Sequence, residues 1–143
     1  MSFRTLSFSA FLLALLPGPA AASEGLKFAA AYMCDPQRVT EAMVQACIRR
    51  DVSLSSRFAA ALKSWTGRND SEIQRLKNEC VAELTKRSSS DAELQDFMAA
   101  VNRLNDEAIA AMARNEADLS FCGEMLTGLE TGKSDLKNFF PPK

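Results

Sequence analysis

The stretch YMCDPQRVTEAMVQACIRRD, residues 32–51, places two cysteines at the two ends of one predicted helix. Asp35 and the proline after it are typical of a helix start, because aspartate caps free N–H groups and proline at the first helical position needs no N–H. A continuous helix over 36–50 places Cys47 about 16 Å above its first residue. Since a disulfide requires Cα atoms within about 7 Å, we expect Cys34 and Cys47 not to bond to each other.

The first 22 residues have the features of a cleaved signal peptide. MSFRTLS carries one positive charge at Arg4, FSAFLLALL is apolar, and PGPAAAS supplies a breaker followed by small residues. We expect cleavage after Ala22, which leaves a mature domain at 23–143. The apolar run is shorter than the roughly 20 residues that cross a bilayer, so we expect no stable membrane anchor. The alanine-rich leader favours export to the bacterial periplasm, or secretion.

The mature chain is expected to form a single domain, since about 120 residues can bury one hydrophobic core. Loss of Arg4 from the 17 basic side chains leaves 16 against 18 acidic ones, a net charge of −2. The two signs are interspersed along the chain. This balance argues against nucleic acid and anionic membranes as partners, because both usually need a basic surface.

Apolar residues recur at helical spacing along the whole mature chain, and no segment alternates as a buried strand does. We interpret TGRND as a break between two helices, and Ser90 with Glu93 as a capping box. The last helix is expected to end at Gly132, before a short C-terminal tail at 133–143. The sequence therefore predicts an all-α, single-domain bundle of about five helices. The apolar stripes occupy residues 54–65, 73–84, 94–112 and 119–129.

The position of each cysteine along the bundle axis favours one of the two remaining cysteine pairings. If TGRND is a turn and neighbouring helices are antiparallel, the first helix and the helix after TGRND point the same way. Cys47 and Cys80 then lie level, about 15 Å from the starts of their helices, and Cys122 lies nearer Cys34. We favour Cys47–Cys80 with Cys34–Cys122. The alternative is Cys34–Cys80 with Cys47–Cys122.

The cysteines are expected to form structural bridges, as is usual in exported chains. The chain has no C-x-x-C pair and no histidine that could activate a thiolate. Without histidine, a Ser-His-Asp hydrolase, a histidine-based zinc site and c-type haem attachment are all excluded. The methionines lie mostly on apolar stripes, which favours core filling over copper binding. We expect no metal and no cofactor.

Carboxylate chemistry is the one enzymatic hypothesis left. Glu79 and Glu83 are four residues apart and share a helix face, as paired catalytic carboxylates could. Arg75 lies one turn before Glu79, and Lys86 and Arg87 lie one turn after Glu83. Such a ladder of opposite charges is typical of a solvated helix face, so we expect these residues to be structural and the protein not to be an enzyme.

Two features could contact a partner protein. The SWTGRND corner holds Trp65, Arg68 and Asn69, and tryptophan and arginine are enriched at binding hot spots. The tail ends with Phe139 and Phe140, which are too apolar for a flexible tail. Each feature has a structural alternative: the tryptophan completes an apolar stripe, and the two phenylalanines could fold back onto the bundle.

The leading functional hypothesis is an exported helical protein that acts by binding another protein, for example as an inhibitor or immunity factor for a secreted hydrolase. It rests on architecture and not on a motif. The alternative is a carrier of a small apolar ligand, because AAAL and MAAVNRL are rich in small side chains that could leave room inside the bundle. An inhibitor needs an exposed anchor, whereas a carrier needs an interior site.

Overall fold

The computed structural model describes residues 32–114 and 119–142, and these ranges are helical without any strand. The predicted all-α bundle of about five helices, stapled by two disulfides, is confirmed. No helix in the described ranges is both long and apolar enough to cross a membrane. The expected signal peptide lies outside these residues. Besides a helical segment at 32–34, the elements are α1 (Pro36–Arg50), a 3₁₀ turn (Val52–Leu54), α2 (Ser55–Arg87), α3 (Asp91–Arg114), α4 (Leu119–Thr131) and a second 3₁₀ turn (Leu136–Asn138).

The helix starts follow the capping residues that the sequence predicts. Asp35 accepts a hydrogen bond from the backbone N–H of Arg38, 3.3 Å from nitrogen to Oδ1, and proline occupies the first position of α1. At the start of α3, Ser90 Oγ accepts from the N–H of Glu93 at 3.2 Å. The Glu93 carboxylate reaches back to the N–H of Ser89, one residue before the position expected for a capping box. Both predicted starts are confirmed.

The predicted break at TGRND is wrong, because α2 runs unbroken for 33 residues through that stretch. A glycine inside a helix costs only about 1 kcal/mol relative to alanine. Burial of large side chains on both sides of Gly67 outweighs this cost, since the apolar stripe continues in phase across it. The buried residues of α2 are Phe58, Ala61, Trp65, Asn69, Ile73, Leu76, Cys80 and Leu84.

The two disulfides join Cys34 to Cys80 and Cys47 to Cys122, with Cα atoms 5.3 Å and 5.6 Å apart. The favoured pairing, Cys47–Cys80 with Cys34–Cys122, is therefore wrong, and the alternative is observed. The expectation that Cys34 and Cys47 do not bond to each other is confirmed. No cysteine is free.

The continuity of α2 explains the observed pairing. The 3₁₀ turn after α1 reverses the chain, so α2 runs back along α1 and its second half reaches the residues that precede α1. There Lys77 Nζ lies 3.5 Å from Asp35 Oδ1, and Cys80, three residues further on, meets Cys34. A turn at TGRND would have reversed this half of α2 and placed Cys80 beside the end of α1 instead.

The core consists of two clusters along α2, and each contains one disulfide. The first is formed by α1, the first two-thirds of α2, α4 and the C-terminal segment, and it includes Cys47 and Cys122. The second is formed by the end of α2 and the start of α3, with Cys34 packed against it. The second cluster consists of Cys80, Leu84 and Val101, with half-buried Leu94, Phe97 and Met98 around them.

We predict that replacing either cysteine pair by alanine, Cys34→Ala with Cys80→Ala or Cys47→Ala with Cys122→Ala, lowers the free energy of unfolding by about 4 kcal/mol. The chain-entropy model gives this value for loops of 46 and 75 residues. Denaturant unfolding measures the loss.

Peptide mapping of the oxidised protein without reduction should recover only the two observed pairs, and a peptide joining Cys47 to Cys80 would contradict the fold.

Candidate functional site

One face of α2 holds the C-terminal segment, residues 132–142, against the bundle. Four residues of α2 lie on the same side of the helix, because Arg68, Asn69 and Arg75 follow Trp65 by three, four and ten residues. Each donates a side-chain hydrogen bond to the segment. We call these four residues and the segment they bind the C-terminal clamp.

A tight turn after α4 brings the segment onto α2. Gly132 has a φ of +80°, a conformation that L side chains rarely adopt, and it ends the helix as the sequence predicts. The N–H of Ser134 donates to the carbonyl of Gly128 at 3.1 Å. A Cβ on Gly128 would lie 2.1 Å from Ser134 Oγ and 3.3 Å from Ser134 Cβ, so a larger residue there would force Ser134 into another rotamer and crowd the turn against α4.

Two buried side chains of α2 bind the backbone of the segment. Trp65 is fully buried, and its Nε1 donates to the carbonyl of Ser134 at 2.9 Å. The Asn69 amide, also buried, donates to Asp135 Oδ1 at 3.1 Å and accepts from the N–H of Leu136 at 2.8 Å. Its Nδ2 also donates to the Trp65 carbonyl at 2.8 Å. The segment is thereby fixed through its main chain as well as its side chains.

Arg68 forms the charged part of the clamp. Its guanidinium lies 3.1 to 3.3 Å from the carboxylate of Asp135 and donates at 2.5 Å to the carbonyl of Leu129, near the end of α4. Burial of the Asp135 carboxyl opposes its ionisation, but hydrogen bonds from Arg68 and Asn69 outweigh burial and lower its pKa below the ordinary value. The pair therefore stabilises the charged form of Asp135.

Arg75 closes the far end of the clamp. Its Nη2 donates to the carbonyl of Phe140 at 2.6 Å, while Glu72 and Glu79 hold the guanidinium at 2.8 and 2.7 Å. The Phe140 ring is half-buried against Tyr32, with ring centroids 6.1 Å apart. The chain is thus bonded to α2 on both sides of the one aromatic residue that lies between Leu136 and Phe140.

That residue is Phe139, whose side chain is 60% exposed. A single exposed apolar side chain is common on a protein surface, so exposure alone does not mark a binding site. What distinguishes Phe139 is a backbone that is hydrogen-bonded to α2 on both sides of it. Phe139 follows the 3₁₀ turn directly, and its N–H donates to the carbonyl of Leu136 at 3.0 Å. Its position is fixed by the clamp, although its ring gains little from the bundle.

The structure brings the two sequence-predicted features together, but in different roles. Trp65 and Asn69 are buried and have no side-chain surface for a partner, so they act as internal ligands of the tail. Arg68 is about one-third exposed and already bound to Asp135. Phe140 folds back onto the bundle, which is the alternative to partner binding that the sequence also allowed. Of the five residues predicted to contact a partner, only Phe139 retains a large exposed apolar surface.

Sequence reasoning missed Arg75 and Asp135, which complete the clamp. A signal existed: Arg75 continues the helical face of Trp65 and Asn69, and Asp135 with Leu136 follows a helix-ending glycine in the manner of a returning segment. The partners themselves could not be read from the sequence, because they are 65 to 67 residues apart along the chain.

The carboxylates Glu79 and Glu83 occupy the charge ladder that the sequence predicts. Glu79 pairs with Arg75 at 2.7 Å, and Glu83 lies 3.3 Å from Arg87 and 3.7 Å from Lys86. Among the described residues, no group of three or more side chains is placed to hold a metal ion.

Comparison with known protein families, with curated proteins and with solved structures finds no match for this chain. Function has therefore to be argued from the geometry of the molecule itself.

We predict that Asp135→Asn lowers the free energy of unfolding by about 2 kcal/mol at pH 7, since hydrogen bonds to a charged group are lost. The folded-state pKa of Asp135 is depressed, so its contribution is present above the pKa of the unfolded chain and lost as pH falls through the folded pKa. The difference between wild type and variant should therefore shrink below about pH 4. Fluorescence of Trp65, the single tryptophan, reports unfolding at the clamp.

Asp106→Asn is the matched control, because Asp106 forms an exposed ion pair with Arg38. Exposed pairs contribute little, so this variant should lose less than about 1 kcal/mol at pH 7. Equal losses of unfolding free energy in the two variants would contradict this prediction. So would a loss in Asp135→Asn that stays the same at acid pH, because the charge of Asp135 would then not stabilise the clamp.

Proposed function

We propose that this protein acts outside the cytoplasm, in the bacterial periplasm or after secretion, by binding another protein through Phe139. The two disulfides support an oxidising, exported environment. Within that setting we propose an inhibitor or immunity factor whose exposed phenyl ring enters the cleft of a secreted hydrolase. Catalysis by the protein itself is not part of this proposal.

The observation that carries the proposal is the exposure of Phe139 on a backbone that is fixed on both sides. Asn69 binds the N–H of Leu136 before it, and Arg75 binds the carbonyl of Phe140 after it. An aromatic side chain on a pre-organised segment loses little conformational entropy when it is buried by a partner. Aromatic anchors of this kind dominate the binding energy of many interfaces.

Rigidity supports the specific role of an inhibitor. An inhibitor that enters an enzyme's cleft gains affinity when its contact segment keeps one shape before and after binding. Here the clamp joins the segment to α2, and the Cys47–Cys122 disulfide joins α1 to α4, from which the segment emerges. The anchor is therefore connected to the first core cluster through several independent contacts.

A second observation favours the alternative of an apolar-ligand carrier. Asn105 of α3 is 1% exposed, and its Oδ1 accepts no hydrogen bond in the described part of the chain. A buried acceptor without a donor costs about 1–3 kcal/mol, which a ligand's donor group would recover. α3 packs on α1 and α2, and Leu94, Phe97 and Met98 on it are only half-buried. An amphiphile with a hydroxyl head fits this chemistry.

We predict that Phe139→Ala abolishes capture of the partner and leaves folding intact. Mature, oxidised protein would serve as bait in extracts of the producing organism and its neighbours, with mass spectrometry of what is bound. A partner held through Phe139 should lose at least about tenfold in affinity, as hot-spot residues do. The free energy of unfolding should change by less than about 0.5 kcal/mol, because the ring is mostly exposed.

Val81→Ala provides the matched control, because Val81 is an apolar residue of α2 that is 43% exposed and lies in its C-terminal half, beyond the clamp. It should retain the partner. A partner lost equally from both variants, or retained by both, would contradict Phe139 as the anchor.

For the carrier, we predict that dodecanol raises the melting temperature of the wild-type protein and that dodecane, which has no donor, does not. Asn105→Leu should remove the response to dodecanol and stabilise the unliganded protein by about 1 kcal/mol, since the unpaired acceptor is gone. Differential scanning calorimetry measures both effects. Equal responses to the alcohol and the alkane, or no response to either, would exclude this site as a carrier.

A further inference from the structure

The exposed charged side chains of the C-terminal segment are of one sign. Among the described residues of the segment, the charged side chains are Lys133, Asp135 and Lys137. Asp135 is buried and bound to Arg68, so its charge is neutralised inside the clamp. Both lysines are exposed, and Lys137 lies close enough to Asp135 for its charge to help lower the pKa of that carboxyl. The outward charge of the segment is therefore positive.

The fold places the two lysines beside the exposed ring. Lys137 lies in the 3₁₀ turn that leads into Phe139. Asn138 Nδ2 donates to the carbonyl of Gly132 at 3.0 Å and to that of Lys133 at 3.3 Å, which folds the turn after α4 against the same 3₁₀ turn. Lys133, Lys137 and Phe139 thus lie on one short stretch of chain whose two turns are hydrogen-bonded to each other.

Three acidic residues of the neighbouring helices are paired with arginines. Glu72 and Glu79 of α2 are bound to Arg75, and Glu130 of α4 is bound to Arg57 at 2.6 and 2.7 Å. Asp70 is exposed on α2, but it lies about 140° around the helix from Trp65 and Arg75 and about 160° from Arg68, and so off the face that carries the clamp. The whole chain has a net charge of −1, so the segment departs from the average in sign.

We infer that the partner's binding site is an apolar pocket with an acidic rim. Phe139 fills the pocket, and Lys133 and Lys137 meet carboxylates at its edge. This inference rests on the proposed function and specifies the chemistry of the partner. Complementary charges at the rim of an interface increase the association rate and exclude partners of the wrong sign.

A protein pocket fits the surface better than an anionic membrane does. Two lysines near a membrane contribute about 1 kcal/mol each, and one exposed phenyl ring adds a single small apolar contact. Stable membrane binding takes two strong signals, such as an acyl chain with a polybasic patch. A single ring flanked by two charges matches instead one pocket and its rim.

The test uses the double variant Lys133→Glu with Lys137→Glu. Lys63→Glu with Arg103→Glu is the matched control, because both residues are exposed, unpaired in the described structure and changed by the same total charge. Wild type, Phe139→Ala and the two double variants are immobilised and exposed to the same extract at about 20 and about 300 mM salt. Each bound protein is quantified, and its association rate is measured after purification.

We expect the protein whose capture requires Phe139 to bind the lysine variant at least about tenfold more slowly at low salt, with the difference shrinking at high salt. The control variant should bind like wild type. A protein that requires Phe139 but binds the lysine variant equally well overturns the acidic rim and leaves the proposed function standing. If no captured protein requires Phe139, both fail.

Vesicles of phosphatidylglycerol and phosphatidylcholine form the second arm of the test. Wild type should not sediment with them. Sedimentation that is lost in both Phe139→Ala and the lysine variant would assign the surface to a membrane and overturn the inference.

Discussion

The unbroken hydrogen-bond ladder of α2 is the constraint on which the rest of the structure depends. Because the helix passes through TGRND without a turn, it spans both core clusters and carries residues bonded to every other part of the bundle. Its second half meets the start of α1 and α3, and its first two-thirds meet α4 and the C-terminal segment. A turn at Gly67 would move Asn69 and Arg75 off the face that holds the tail.

Local signals in the sequence predicted local structure well. Asp35, Ser90 and Gly132 mark helix ends through bonds and backbone angles that involve only a few neighbouring residues, and these ends are observed. The apolar stripes likewise predicted the buried side of α2 and, at Cys122, Leu126 and Leu129, that of α4. What failed was the choice between a turn and a helix at TGRND, where a cost of about 1 kcal/mol for glycine competes with burial that depends on the whole fold. The wrong cysteine pairing followed directly from that choice.

The candidate site shows a different limit of sequence reasoning. Tryptophan and arginine are enriched at interfaces because they combine large contact area with directional hydrogen bonds. Trp65 and Arg68 use those properties within one chain, where the C-terminal segment occupies the position that a partner would take. The sequence indicated Trp65 and Arg68 as residues that could contact a partner protein, but it could not indicate that they bind the protein's own C-terminal segment.

The division of the core into two clusters makes the two disulfides unequal. Cys47 and Cys122 are 1% and 2% exposed within the larger cluster, whereas Cys34 is only half-buried beside the smaller one. A reducing agent therefore has easier access to Cys34–Cys80, and cutting that bond frees the junction of α1, α2 and α3 first. The Cys47–Cys122 disulfide still joins α1 to α4 after this step. Partial reduction would accordingly yield a species in which Cys47–Cys122 is intact while the region around Cys34, including the contact of Tyr32 with Phe140, is loosened.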